Sequence, residues 1–256
     1  MVQAQQAQVR ERIEQELRKA QLIQRSLLPE ALPRLSGWRL AKYYQPAREV
    51  GGDFYDFIPF EDGRLGLLIG DATGKGIPAA LVMTTTCTML RAAAQATASP
   101  GEVLARVNDL LYARIPPGMF VTCFYAILDP RSGRLRYATA GQDLLYRCHS
   151  NGVSELQATG MPLGLMPDSS YEEHEVTLSP GESLLFYSDG LVEAHSPSRE
   201  MFGYPRLQSL LAEHAPGASL IDFMLGELKR FTSDGWEQED DVTLLLLQRM
   251  AEPAPA

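Results

Sequence analysis

The chain has 256 residues, 45% of them hydrophobic and 21% charged, and a formal net charge of −9. That length buries a full core, so the chain reads as one large domain or one domain plus an appendage. The acidic balance argues against nucleic acid as the partner, since phosphate binders carry basic faces. Cys87, Cys123 and Cys148 are odd in number and lie in apolar segments, which points to a reducing compartment and away from a disulfide framework. No run reads as long enough to cross a membrane, and the N-terminus is too polar for a signal peptide. The expectation is therefore a soluble, cytoplasmic protein with no membrane insertion.

In residues 3–28, Val9, Ile13, Leu17, Ala20, Ile23 and Leu27 recur at intervals of three and four, which predicts an amphipathic helix ended by Pro29. At ~1.5 Å per residue it is roughly 40 Å long. Its stripe fits two readings: packing on its own domain, or an imperfect coiled-coil arm, with Glu16 on the seam, that joins a partner or a second copy. Residues 1–30 are accordingly taken as an arm, 31–250 as the main domain and 251–256 as a disordered Pro/Ala tail.

Residues 38–44 alternate and predict a strand. Residues 54–60 and the run ending at Asp71 flank the turn Glu61-Asp62-Gly63, a hairpin signal. With a three-residue loop, Phe60 pairs with Arg64 and Asp53 falls opposite Asp71; a two-residue loop shifts this by one and leaves the two acids neighbours. Like charges opposed on a sheet are destabilising, and a cation between them would reverse that. After Asp71 come Gly74 and Gly76, suited to a sharp turn, and Pro78, suited to the first turn of a helix. The spacing does not match a P-loop, which needs four residues between its first Gly and Gly-Lys and then Ser or Thr. Taken alone, Asp71 would read as a helix cap. Helices are predicted over 78–97 and 100–114, then tightly connected strands over 119–128, 135–140, 144–148, 173–178 and 183–188, hence antiparallel. Helices follow over about 203–214 and 217–232, and a wholly apolar strand from Val242.

Asp53, Asp71, Asp189 and the pair Asp240-Asp241 all sit at ends of apolar strands. Carboxylates gathered at one rim are the oxygen ligands that hard divalent cations select. His149, His174, His195 and His214 are scattered without ligand spacing, and no Gly-x-Ser-x-Gly elbow or nucleophilic cysteine context is present. That favours metal-activated water over a covalent nucleophile.

Four motifs resemble the metal motifs of the type 2C (PPM) protein phosphatases, the bacterial SpoIIE/RsbU-like branch above all: Val50-Gly51-Gly52-Asp53-Phe54-Tyr55-Asp56, Gly70-Asp71-Ala72-Thr73-Gly74-Lys75-Gly76, Tyr187-Ser188-Asp189-Gly190 and Asp240-Asp241-Val242-Thr243. Gln24-Arg25-Ser26-Leu27-Leu28-Pro29, Met161-Pro162-Leu163-Gly164-Leu165 and Phe202-Gly203 resemble that branch too. The resemblance implies an α+β fold, a four-layer α-β-β-α sandwich of two antiparallel sheets flanked by helices. It implies a metal-dependent serine/threonine phosphatase with two Mn²⁺ or Mg²⁺ ions. By position, Asp71 would bridge the metals, Asp189 and Asp240 would complete one, and the Ala72 carbonyl would serve the other with Asp53 nearby. Asp241 is the adjacent alternative to Asp240, and Arg48 stands where the wider family binds phosphate. The implied substrate is a phosphorylated anti-sigma-factor antagonist of the STAS type. Two departures stand out: Thr73 replaces the branch's usual Ser, leaving no His general acid to assign, and Gln142 replaces its usual His. The rival readings are a degenerate phosphatase fold that binds or scaffolds, and a two-metal phosphodiesterase on nucleic acid, which the net charge disfavours.

Overall fold

In the computed structural model, residues 2–142, 145–214, 219–233 and 238–251 are described. The final strand, β10 (Val242–Arg249), shows how the chain layers itself. Side chains alternate between the faces of a strand, and here both faces are covered: Leu245 and Leu247 enter one core cluster, while Val242, Leu244 and Leu246 enter the other. A strand buried on both sides needs an unbroken apolar run, and Val242–Leu247 supplies it with one interruption, the fully buried Thr243.

The remaining strands are β1 (Trp38–Gln45), β2 (Phe54–Pro59), β3 (Leu65–Ala72), β4 (Val121–Asp129), β5 (Arg134–Ala140), β6 (Tyr146–His149), β7 (Gly152–Glu155), β8 (His174–Thr177) and β9 (Ser183–Tyr187). They form two five-stranded sheets, ordered β1-β10-β9-β6-β7 and β2-β3-β4-β5-β8, with every strand pairing antiparallel. Helices α2 (Ile77–Ala96) and α3 (Pro100–Tyr112) cover the second sheet, and α5 (Tyr204–Glu213) and α6 (Leu220–Thr232) cover the first. This is the expected four-layer α-β-β-α sandwich.

The β2–β3 hairpin adopts the three-residue loop, with Phe60 N–H donating to the Arg64 carbonyl at 3.0 Å. Phe54 pairs with Gly70 and Tyr55 with Ile69, and Ala72 N–H donates to the Gly52 carbonyl at 3.2 Å. Asp53 and Asp71 are therefore directly opposed, as the register arithmetic predicts. Gly63, at φ 87°, supplies the left-handed residue the turn requires.

The N-terminal helix α1 (Val2–Leu27) is anchored only near its end. Gln24 is buried and clamps Gly51, donating to its carbonyl at 2.7 Å and accepting its N–H at 3.1 Å. Leu28 enters the main core, whereas Val9 and Ile13 stay more than half exposed. Packing thus reaches the helix end through Gln24 and Leu28, while Val9, Ile13 and Ile23 of the stripe stay uncovered.

Two elements lie outside the sequence expectation: β7, and the short helix α4 (Asp189–Val192) directly after β9. Helix α2 also corrects the view that no segment is long and apolar enough to span a membrane, because by length and composition it is. Its apolarity has a packing cause: Ala79, Val82, Met83, Cys87, Leu90, Ala93 and Ala94 are buried against the sheet. All three cysteines are free and buried. Leu144, residues 217–218 of the fifth predicted helix and tail residues 252–256 lie outside the described residues.

Candidate active site and metal centre

The two sheets meet the same rim. The second contributes Asp53, just before β2, and Asp71, at the end of β3; the first contributes Asp189, at the start of α4, and Asp240-Asp241, just before β10. Side chains cross between them. Thr243 on β10 donates its hydroxyl to Asp53 Oδ2 at 2.5 Å. Ser188 closes the corner, accepting the Thr243 N–H on its Oγ at 2.9 Å and donating to the Asp241 carbonyl at 3.2 Å.

The choice between Asp240 and Asp241, open in the sequence, has a geometric counterpart. Asp241 is buried, and its carboxylate is occupied by backbone. It accepts backbone N–H groups from Ala47 at 2.8 Å, Gly52 at 2.6 Å and Asp53 at 3.2 Å, so it holds the loop that carries Asp53. Asp240 is half-buried, and its carboxylate meets Lys75 Nζ at 2.8 Å. Lys75 also donates to the Glu239 carbonyl at 2.6 Å, and Glu239 is held in turn by His195 and Arg199, each at 2.6 Å. This chain of contacts was missed in the sequence, because residues 75, 195, 199 and 239 share no local pattern.

The acids are electrostatically frustrated. Burial pushes the Asp71 carboxyl up to about 8, and the charges of Asp189, Asp240 and Asp241 push the same way, opposed by Lys75. Burial, then Asp71 and Asp241, hold Asp53 well above the usual carboxylate range, against hydroxyl bonds from Ser188 and Thr243. Burial comes first in both shifts, and at both acids the neighbouring carboxylates add to it. Asp71 does not cap α2: the helix N-cap is Gly76, with no side-chain cap bond.

The donor set suits hard divalent cations. Among the described residues no three acid, histidine or cysteine side chains already stand as a closed cage. The backbone is nevertheless cut to the acids. A Cβ on Gly52 would meet the Ala72 carbonyl oxygen at 2.6 Å and Asp71 Oδ1 at 2.7 Å, and a Cβ on Gly51 or Gly190 would overlap Asp241. Glycine there keeps the space beside Asp71 and the Ala72 carbonyl open, so the residues fit a bound cation. Arg48 is exposed and, with Ala47, Lys75, Gln238 and Glu239, lines a cleft of about 310 Å³ beside Asp240.

The departures also have a physical account. The Thr73 hydroxyl is committed to backbone, donating to the Phe120 carbonyl at 2.7 Å and accepting the Phe120 N–H at 2.8 Å. Gln142 is buried between the sheets, accepting from Thr122 at 2.9 Å and donating to the Tyr187 carbonyl at 3.4 Å.

Known proteins are similar in sequence and fold. The family model "Stage II sporulation protein E (SpoIIE)" matches residues 61–250. Protein IcfG of Synechocystis sp. is 33% identical over 91% of this chain and 41% of its own length. Phosphoserine phosphatase RsbU of Bacillus subtilis is 27% identical over 94% of this chain and 72% of its own length. The chain thus spans less than half of IcfG. The structure of the SiaA-PP2C domain of Pseudomonas aeruginosa superposes with a TM-score of 0.82 at 25% identity, covering 94% of this chain and 98% of that one. More distantly, RsbX in complex with magnesium shares the fold with a TM-score of 0.63 at 16% identity, covering 85% of this chain and 98% of that one. With its motifs in order along the sequence, its double sheet superposing on a PP2C domain and most of its length inside the family model, this chain belongs to the SpoIIE family.

Proposed function

We propose that this chain is a metal-dependent protein phosphatase that hydrolyses phosphoserine or phosphothreonine on a regulatory protein. One observation carries the reading: Asp71 ends a core strand among three further carboxylates from the opposite sheet, with a single lysine opposing them. Asp71, the Ala72 carbonyl, Asp189 and Asp240 would hold two Mn²⁺ or Mg²⁺ ions, with Asp53 alongside. When bound, such ions lower the pKa of a water and neutralise charge on phosphoryl oxygens. Asp241 and Gln24 act at one remove, fixing the Ala47–Asp53 loop through its backbone. Arg48 reaches the phosphate from the cleft, where a guanidinium fits its oxygens. Water attacks phosphorus in line, the bond to the serine oxygen breaks, and the leaving alkoxide takes its proton from solvent. Thr73 does not serve there, its hydroxyl being held by Phe120.

The relation to RsbU, named a phosphoserine phosphatase, supports a serine-phosphorylated substrate; the substrate proposed is an anti-sigma-factor antagonist of the STAS type, met in the cytoplasm. The uncovered stripe of α1, with Val9 and Ile13 more than half exposed, supports self-association of the arm with a second copy. The test is hydrolysis of p-nitrophenyl phosphate and of a phosphorylated STAS-domain protein with Mn²⁺ and with EDTA. Turnover that needs Mn²⁺ on both is expected. Tight binding of the phosphoprotein without turnover would instead favour a scaffold module.

A further inference from the structure

Residues 112–120 and 161–167 form an apolar shelf beside the acid rim. Tyr112, Met161, Leu165 and Met166 are 48%, 40%, 41% and 52% exposed, and Ile115 and Met119 in the same segments are half-buried. Single exposed apolar residues need no explanation, but these lie on two segments that adjoin, with Ile115 against Gly164; apolar residues gathered in this way suit an interaction surface, and methionines adapt readily to a partner.

The shelf is joined to the site through the sheet. Leu163 exchanges both backbone hydrogen bonds with Val121, at 2.8 and 3.0 Å, and Val121 pairs on its other side with Ala72. Leu163 therefore stands two strand spacings, ~10 Å, from the strand end carrying Asp71. Phe120, next to Met119, is bonded to Thr73.

The shelf is also held still. Asn108, fully buried on α3, accepts the Gly164 N–H at 2.9 Å and donates to the Met166 carbonyl at 2.8 Å. Gly164, at φ +79°, lets Ile115 press on the backbone where a Cβ would meet its Cδ1 at 2.5 Å. A buried amide that fixes the backbone at Gly164 and Met166 pre-organises this segment, which lowers the cost of ordering it on binding.

Resting on the phosphatase reading above, we propose that this shelf is the docking surface for the substrate: a folded phosphoprotein presenting an apolar patch beside its phosphoserine. The occupant follows from size. A standard interface covers about 800 Å² per partner, a disc roughly 30 Å across, so a folded protein that delivers phosphoserine to Asp71 covers the shelf as well. The cleft lined by Arg48, Lys75, Gln238 and Glu239 is polar, so the apolar shelf and the polar cleft together fix the partner's orientation.

The test compares wild type with Leu165→Glu/Met166→Glu, using a serine-phosphorylated STAS-domain protein and p-nitrophenyl phosphate, both with Mn²⁺. The variant should lose about tenfold or more in kcat/KM on the phosphoprotein, mostly through KM, and stay within about twofold on the small ester. Met166→Leu should retain wild-type kinetics on both. If the double variant fails to fold, Met161→Glu takes its place with the same expectation. Equal losses on both substrates, or no loss on either, would overturn the proposal, as would a shift from dimer to monomer in sedimentation, which would assign the shelf to a second copy. The phosphatase reading fails separately, if wild type itself does not hydrolyse p-nitrophenyl phosphate with Mn²⁺.

Discussion

Asp56 and Asp71 lie on the same hairpin and are treated oppositely. Asp56, on β2, is fully buried and forked by Arg91, with Nε at 2.8 Å and Nη2 at 2.7 Å, and it also accepts the Phe57 N–H at 2.8 Å. Burial raises its carboxyl, and the guanidinium and backbone oppose the rise. At Asp71 burial raises the carboxyl too, but there the neighbouring charges add to the rise, and Lys75 alone opposes them. The first acid is satisfied by the protein and serves the fold, tying β2 to α2. Among the described residues the second has only Lys75 set against its acidic neighbours, which is the condition of a site kept for a ligand.

The largest expected effect breaks the comparison on the functional side. Asp71→Asn or Asp189→Asn should lower Mn²⁺-dependent turnover by about a thousandfold, read by steady-state hydrolysis. Next, Arg91→Ala leaves Asp56 buried without its partner. It should cost about 3 kcal/mol, the lower end for a broken buried pair because Arg91 is half exposed. Urea unfolding reads that loss, while turnover per folded molecule stays near wild type. A smaller effect sharpens the contrast within the Asp240-Asp241 pair. Asp241→Ala strips the acceptor from Ala47, Gly52 and Asp53 and should cost about 1–3 kcal/mol, whereas Asp241→Asn keeps an acceptor oxygen and should cost less. Asp240→Asn should leave stability nearly unchanged and impair turnover.

The smallest effect is in pH. The folded-state pKa of Asp71, at about 8, lies above its unfolded value. The folded state therefore holds a proton that the unfolded state releases, so this contribution to stability is full below about pH 4 and is lost as pH rises through about 8. In EDTA, wild-type melting temperature should decline over that range, and Asp71→Asn should flatten the decline.

The hairpin register was legible because a three-residue loop with Gly63 fixes the pairing, and that alone places Asp53 opposite Asp71. The apolar run of β10 was legible because two-sided burial leaves no polar alternation to misread. Strand β7 was not, since Gly152–Glu155 is short and half exposed and takes its strand character from pairing with β6. The different duties of Asp240 and Asp241 were invisible as well. Adjacent acids look alike in a sequence, and only the approach of the Ala47–Asp53 loop, nearly two hundred positions away, separates them. Lys75 was legible as part of a turn, but its contact with Asp240 depends on the two sheets meeting at one rim.

Scanning calorimetry of wild type and Asp71→Asn, each in EDTA and in Mn²⁺, tests the central claim most directly. Repelling carboxylates that await a cation predict that the mutant melts no lower than wild type in EDTA, since one buried repulsion is gone, and that it loses most of the Mn²⁺-induced rise seen in wild type. A mutant that melts far below wild type in EDTA would show Asp71 to be a structural acid like Asp56, and one that keeps the full Mn²⁺ rise would place the metal ligands elsewhere.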